Sequence, residues 1–147
     1  MESSKGAIER FLETTARDVG QIPGWNKLAA LCRRTGDLRC VANSLLQICE
    51  IPGVGLAAIS NAANTLNSII GSPELNLDWT EKRAIVIRII FAMKPYVNDV
   101  DATDCSRLAW LHLRIGNLES ARKLTQQGLA LDPSNEFCLR LVQRLFG

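Results

Sequence analysis

At 147 residues and a net charge of +2, the chain is long enough to bury one core and too nearly neutral to argue for nucleic acid or a membrane surface. Apolar residues make up 47% and charged ones 22%, the balance of an ordinary folded domain. No basic n-region precedes an apolar stretch, and the apolar runs are too short to cross a bilayer, so neither a signal peptide nor a membrane span is expected.

Ser3 or Ser4 can cap a first helix, 4–19, with Ile8, Phe11, Leu12 and Thr15 on one face; it would act either as a terminal cap or as half of an earlier repeat. Ile22-Pro23 opens the next helix, because proline is tolerated in a first turn. Gly36-Asp37 hinges it to a second helix, and Pro52-Gly53 closes the unit, about 22–53. The cysteines Cys32, Cys40, Cys49, Cys105 and Cys138 form no C-x-x-C pair. They read as free, mostly buried thiols of a reducing compartment, hence a cytoplasmic protein.

A second unit, about 54–101, pairs a helix over Gly55–Ile70 with one from Trp79 to about Tyr96, separated by the loop SPELNLD. Asp78 or Thr80 can cap the latter. Its run AIVIRIIFAM is β-like by propensity, but a lone strand would have no partner, so a helix buried on several sides is expected. A third unit, about 102–135, is hinged at Gly116-Asn117 and stopped at Asp132-Pro133. A last helix over 135–146, capped by Ser134 or Asn135, carries Phe137, Cys138, Leu141, Val142 and Leu145 along one side.

The first and third units repeat one layout. Trp25-x2-Leu28-Ala29-x2-Cys32 matches Leu108-Ala109-x2-His112, and each is followed by its glycine hinge and a closing proline, with Val41 and Ile48 at the offsets of Ala121 and Gly128. Gly36 and Gly116 are separated by two repeats of about 34 residues plus roughly a dozen more, which gives the middle unit an insertion. This pattern resembles the tetratricopeptide (TPR) family, W-x2-L-G-x2-Y, then A-x3-F, then P. Cys105 stands in place of the first-helix Trp, and Cys32 and His112 in place of the Tyr. The resemblance implies an all-α, right-handed α-solenoid of about three TPR-like hairpins with extra N- and C-terminal helices, filling one domain over 1–147. It also implies a module that binds other proteins.

The residues offer little chemistry. A single histidine, His112, excludes most acid–base and metal schemes, and it stands at a packing position. Cys105 lies two turns away, about 10 Å along the axis, too far for a nucleophile pair. Asp99, Asp101 and Asp104 lack the glycine and distal glutamate of a calcium loop and read as turn and helix-start residues. Neither enzymatic activity nor a cofactor or metal is expected.

In a TPR stack the first helix of each hairpin lines a concave groove. On that side stand Lys27, Arg33 and Arg34 in the first unit and Asn61, Asn64 and Asn67 in the second. Arg107, Trp110 and Arg114 complete it in the third. Amides can hold an extended peptide backbone, and the cations favour carboxylates or phosphates. Asn61 and Arg107 also stand where the carboxylate clamp of chaperone-binding TPR proteins uses Asn and Arg. Asn26, Ala30 and Thr103 depart from it, so a chaperone tail is not expected. The expected function is therefore capture of a peptide or acidic protein segment. The alternative is an assembly or sensor segment of a larger protein that works through helix contacts at its ends, homo-oligomers included. Nucleic acid is the weakest reading, because the basic residues lack an aromatic-interleaved pattern and the charge balance is near neutral.

Overall fold

Helix boundaries in this protein are set by short polar side chains that satisfy the free N–H groups of a first turn. The computed structural model describes residues 22–147; the helix expected over 4–19, with Ile8, Phe11, Leu12 and Thr15, lies outside the described residues. Those residues form seven α-helices and no strand: α1 Ile22–Arg34, α2 Leu38–Cys49, α3 Leu56–Ile69, α4 Trp79–Met93, α5 Ala102–Arg114, α6 Leu118–Leu131 and α7 Glu136–Phe146. The fold is all-α.

Asp37 accepts from the Cys40 N–H at the start of α2, Asp78 from the Glu81 N–H at the start of α4, and Asn135 from the Cys138 N–H at the start of α7. At α5, Asp101 and Asp104 form a reciprocal capping box, which is the structural role of the acidic run. Asn117, at the start of α6, makes no side-chain cap; its amide faces His112 Nδ1 at 3.3 Å.

The two glycine hinges are superimposable in their bonding. Gly36 (φ +80°) and Gly116 (φ +78°) occupy the left-handed region, which glycine enters without a Cβ penalty. Asp37 N–H donates to the Cys32 carbonyl and Asn117 N–H to the His112 carbonyl, both at 2.9 Å, the long bond of a Schellman ending. The shared sequence layout thus becomes a shared backbone geometry. The middle unit turns differently: a 3-10 turn at Pro73–Leu75 precedes Asn76 (φ 51°), and Leu75, fully buried, pins the loop.

Each of these helices packs on the next. Further contacts join α2 to α4, α3 to α5, and α7 to α5. The main core runs from Leu28 and Cys32 through Ile48, Ile59, Leu66 and Ile89 to Leu111; a smaller cluster of Ala109, Ala121, Leu141 and Leu145 joins α5, α6 and α7. At that junction Gly128 lets α6 approach so closely that a Cβ there would lie 2.6 Å from Cys138 Sγ.

Two expectations change. The apolar run of α4 is helical, but only Val86, Ile89 and Met93 are buried, whereas Ile87 is 39% and Phe91 68% exposed. The reason is that α2, α3 and α5 cover one side of α4 and no described element covers the other. Cys32 and Cys40 are not free thiols. They lie four residues on either side of Gly36, the hinge brings their Cα atoms to 5.8 Å, and they form a disulfide. Cys49, Cys105 and Cys138 are free and buried, so the cysteines as a set no longer argue for a reducing compartment. No helix among the described residues is long and apolar enough to cross a membrane.

Candidate functional site

The outward side of α3 faces the outward side of α5, and polar side chains stitch the two. Asn67 Nδ2 donates to the Arg107 backbone carbonyl at 3.1 Å. Arg107 Nη1 donates to Ser60 Oγ at 3.0 Å and to Asn61 Oδ1 at 3.4 Å. The buried Ser60 hydroxyl in turn donates to the Asp104 carboxylate. Arg107 is therefore held in place by neutral acceptors, with Asp104 one bond further on. A guanidinium has five N–H donors, so this leaves N–H groups for a ligand.

Between α3, α5 and the start of α7 lies a cleft of about 330 Å³. Asn64, Asn67 and Ser68 form one wall, Arg107, Trp110 and Arg114 the opposite one, and Phe137 the end. Arg33, from α1, reaches its edge by donating to Ser68 Oγ at 3.4 Å. Arg114 and Arg144 lie over the Trp110 ring at 5.9 and 5.6 Å, and Arg140 lies over Phe137 at 6.0 Å. Among the described residues the ion pairs are Arg88–Glu50 and Lys123–Glu119, so none of these arginines has a carboxylate partner there. A second cleft, about 250 Å³, lies between α1 and α3, with Asn26 and Asn61 on its two sides.

Of the residues expected in a groove, Asn64, Asn67, Arg107, Trp110 and Arg114 line the main cleft, Arg33 touches its rim, and Asn61 joins it through Arg107. Lys27 and Arg34 are exposed on α1 and line neither cleft. Asn67 differs from its expected role, because its amide is engaged with Arg107 and its Oδ1 is buried without a hydrogen-bond partner.

Sequence reasoning missed Phe137 and Arg144. Phe137 was expected on the packed side of α7, but that side is Cys138, Leu141 and Leu145, and Phe137 is 47% exposed at the cleft. The signal was present in the spacing: Cys138, Leu141 and Leu145 follow i, i+3, i+7, and Phe137 stands one residue off that line.

Elsewhere, titratable groups are suppressed by burial. The Cys49 thiol is pushed up to about 12 by burial and by Glu50, and Cys105 to about 11 by burial and then by Cys138, Asp104 and Asp101. Neither is a thiolate near neutrality, and the thiolate is the reactive form. Burial holds the His112 imidazole below its usual range. Its neighbours across a cavity of about 350 Å³ are mainly apolar, among them Met93, Val100 and Leu108, with Lys94 at the edge. Among the described residues no three His, Cys, Asp or Glu side chains gather to hold a metal.

No family model, no curated protein and no solved structure matches this chain.

Proposed function

We propose that this chain is a TPR-like protein-interaction module, a right-handed α-solenoid of about three hairpins, that binds an acidic peptide segment on the face formed by α1, α3 and α5. One observation carries the reading: Arg33, Arg107, Arg114 and Arg144 gather around one cleft with no carboxylate partner among the described residues. Like charges in a concavity repel one another, and an incoming carboxylate relieves that repulsion while gaining charge-assisted hydrogen bonds. The exposed amide of Asn64 and the Ser68 hydroxyl offer partners to an extended backbone. In this reading the protein is an adaptor that works without a cofactor and catalyses nothing.

The test is fluorescence anisotropy of an aspartate-rich peptide against its asparagine counterpart. Binding that prefers the aspartate peptide, weakens with salt and is lost in Arg114→Glu supports the reading. Arg114 is exposed, so its reversal leaves the fold intact. Equal binding of both peptides by wild type and variant rejects it.

A second reading, an assembly segment, is favoured by the uncovered side of α4. Trp79, Ile87 and Phe91 are exposed there in steps that share one face. Light scattering that shows a dimer dispersed by Phe91→Lys would support it, and a strict monomer at high concentration would reject it.

A further inference from the structure

We infer that the cleft selects an aromatic residue flanked directly by a carboxylate, rather than acidity alone; this rests on the acidic-peptide reading above. Trp110 and Phe137 come from different helices and line the same cleft. Phe137 is 47% exposed, whereas Cys138, next to it in the first turn of the same helix, is fully buried. Exposed aromatic surface beside a polar rim is the composition of an interface anchor, where a large ring is removed from water at small conformational cost.

Each ring also carries its own cation: Arg140 for Phe137, and Arg114 and Arg144 for Trp110. The charges that attract an anion are therefore held beside the surfaces that attract a ring. A ligand complementary to both presents its carboxylate one residue from its aromatic side chain. Size agrees. The cleft's volume of about 330 Å³ is roughly twice the ~150 Å³ of an apolar cavity that holds benzene. That suits one aromatic side chain with its adjoining backbone and is too small for a helix. The exposed Asn64 amide on the opposite wall is placed for that backbone.

The experiment uses the full chain and three fluorescein-labelled peptides in a glycine–serine context, with centres Asp-Phe-Asp, Asp-Ala-Asp and Asn-Phe-Asn. Asp-Phe-Asp is expected to bind about ten-fold more tightly than either of the others, the loss typical of removing one anchor. Phe137→Ala is expected to abolish the preference, so that the variant binds Asp-Phe-Asp and Asp-Ala-Asp equally, with Phe137→Tyr restoring it. Far-ultraviolet circular dichroism confirms that both variants are folded. Equal affinities for Asp-Phe-Asp and Asp-Ala-Asp, or a preference that survives Phe137→Ala, overturn this inference and leave the acidic-peptide reading standing. If neither aspartate peptide binds better than Asn-Phe-Asn, the acidic-peptide reading falls as well.

Discussion

Asn67 and Arg107 join α3 to α5 through a single hydrogen bond, from the Asn67 amide to the Arg107 carbonyl, and that bond leaves the other half of the Asn67 amide buried with no partner. One side chain therefore carries both a favourable and an unfavourable term.

The two terms are of similar size. A net hydrogen bond contributes about 0.5–1.5 kcal/mol, and an unsatisfied buried acceptor costs about 1–3 kcal/mol. Asn67→Ala removes both, so its urea midpoint should stay close to wild type. Asn67→Asp removes the donor and buries a charge, and should lower stability by more than about 2 kcal/mol. Two equal losses would show that the amide is not buried as described. Asn64→Ala, by contrast, should leave stability unchanged and weaken peptide capture.

Gly128 allows the close approach of α6 to α5 and α7. In an open helix, Gly→Ala would stabilise by about 1 kcal/mol. Here the new methyl meets Cys138 Sγ at 2.6 Å, Cys105 Cβ at 3.2 Å and the Ala102 carbonyl at 3.3 Å. Gly128→Ala should therefore destabilise, by about 1–3 kcal/mol as for other overpacked cores. Adding Cys138→Ala should recover part of that loss. Thermal melts of the single and double variants measure the coupling.

The Cys32–Cys40 disulfide spans a sequence separation of 8. Loop-closure entropy for a ring of that length is about 2.5 kcal/mol, so reduction should lower unfolding stability by up to that amount. Cys32→Ser/Cys40→Ser should be less stable and insensitive to reductant. Thiol titration of the denatured, unreduced chain should find Cys49, Cys105 and Cys138 alone, and reduction should add Cys32 and Cys40.

Burial lowers the His112 pKa in the folded state from the ordinary 6.5. The unfolded chain then binds the proton more readily, so protonation favours unfolding. The stabilising contribution of the neutral imidazole is complete above 6.5 and falls as pH drops from there towards the lowered folded value. His112→Gln should flatten this part of the stability–pH profile, measured by urea midpoints between pH 7.5 and 5.5. An unchanged profile would mean that His112 is solvated in the fold.

Much of the architecture was legible because the signals are local. Asp78 and Asn135 cap the helices they precede, and Gly36 and Gly116 end theirs in the left-handed conformation. The helix expected over Gly55–Ile70 is observed at Leu56–Ile69, and AIVIRIIFAM is helical despite its β-branched residues. The candidate cleft was half legible. Arg107, Trp110 and Arg114 share a face by spacing alone, and Asn64 shares one with Asn67 in the same way. Lys27 and Arg34 have the same periodicity signal, but no neighbour brings them into the cleft.

The sequence by itself determined where helices begin, turn and end, because caps, glycine hinges and the 3.6-residue period act within a few residues of one another. Only the tertiary structure decided which faces meet. It placed Phe137 at the mouth of a cleft built by α3 and α5, engaged Asn67 in holding those helices together, and left Ile87 and Phe91 uncovered. Each outcome depends on how helices far apart in sequence lie against one another. That is set by the packing of side chains such as those around Gly128, not by any single helix.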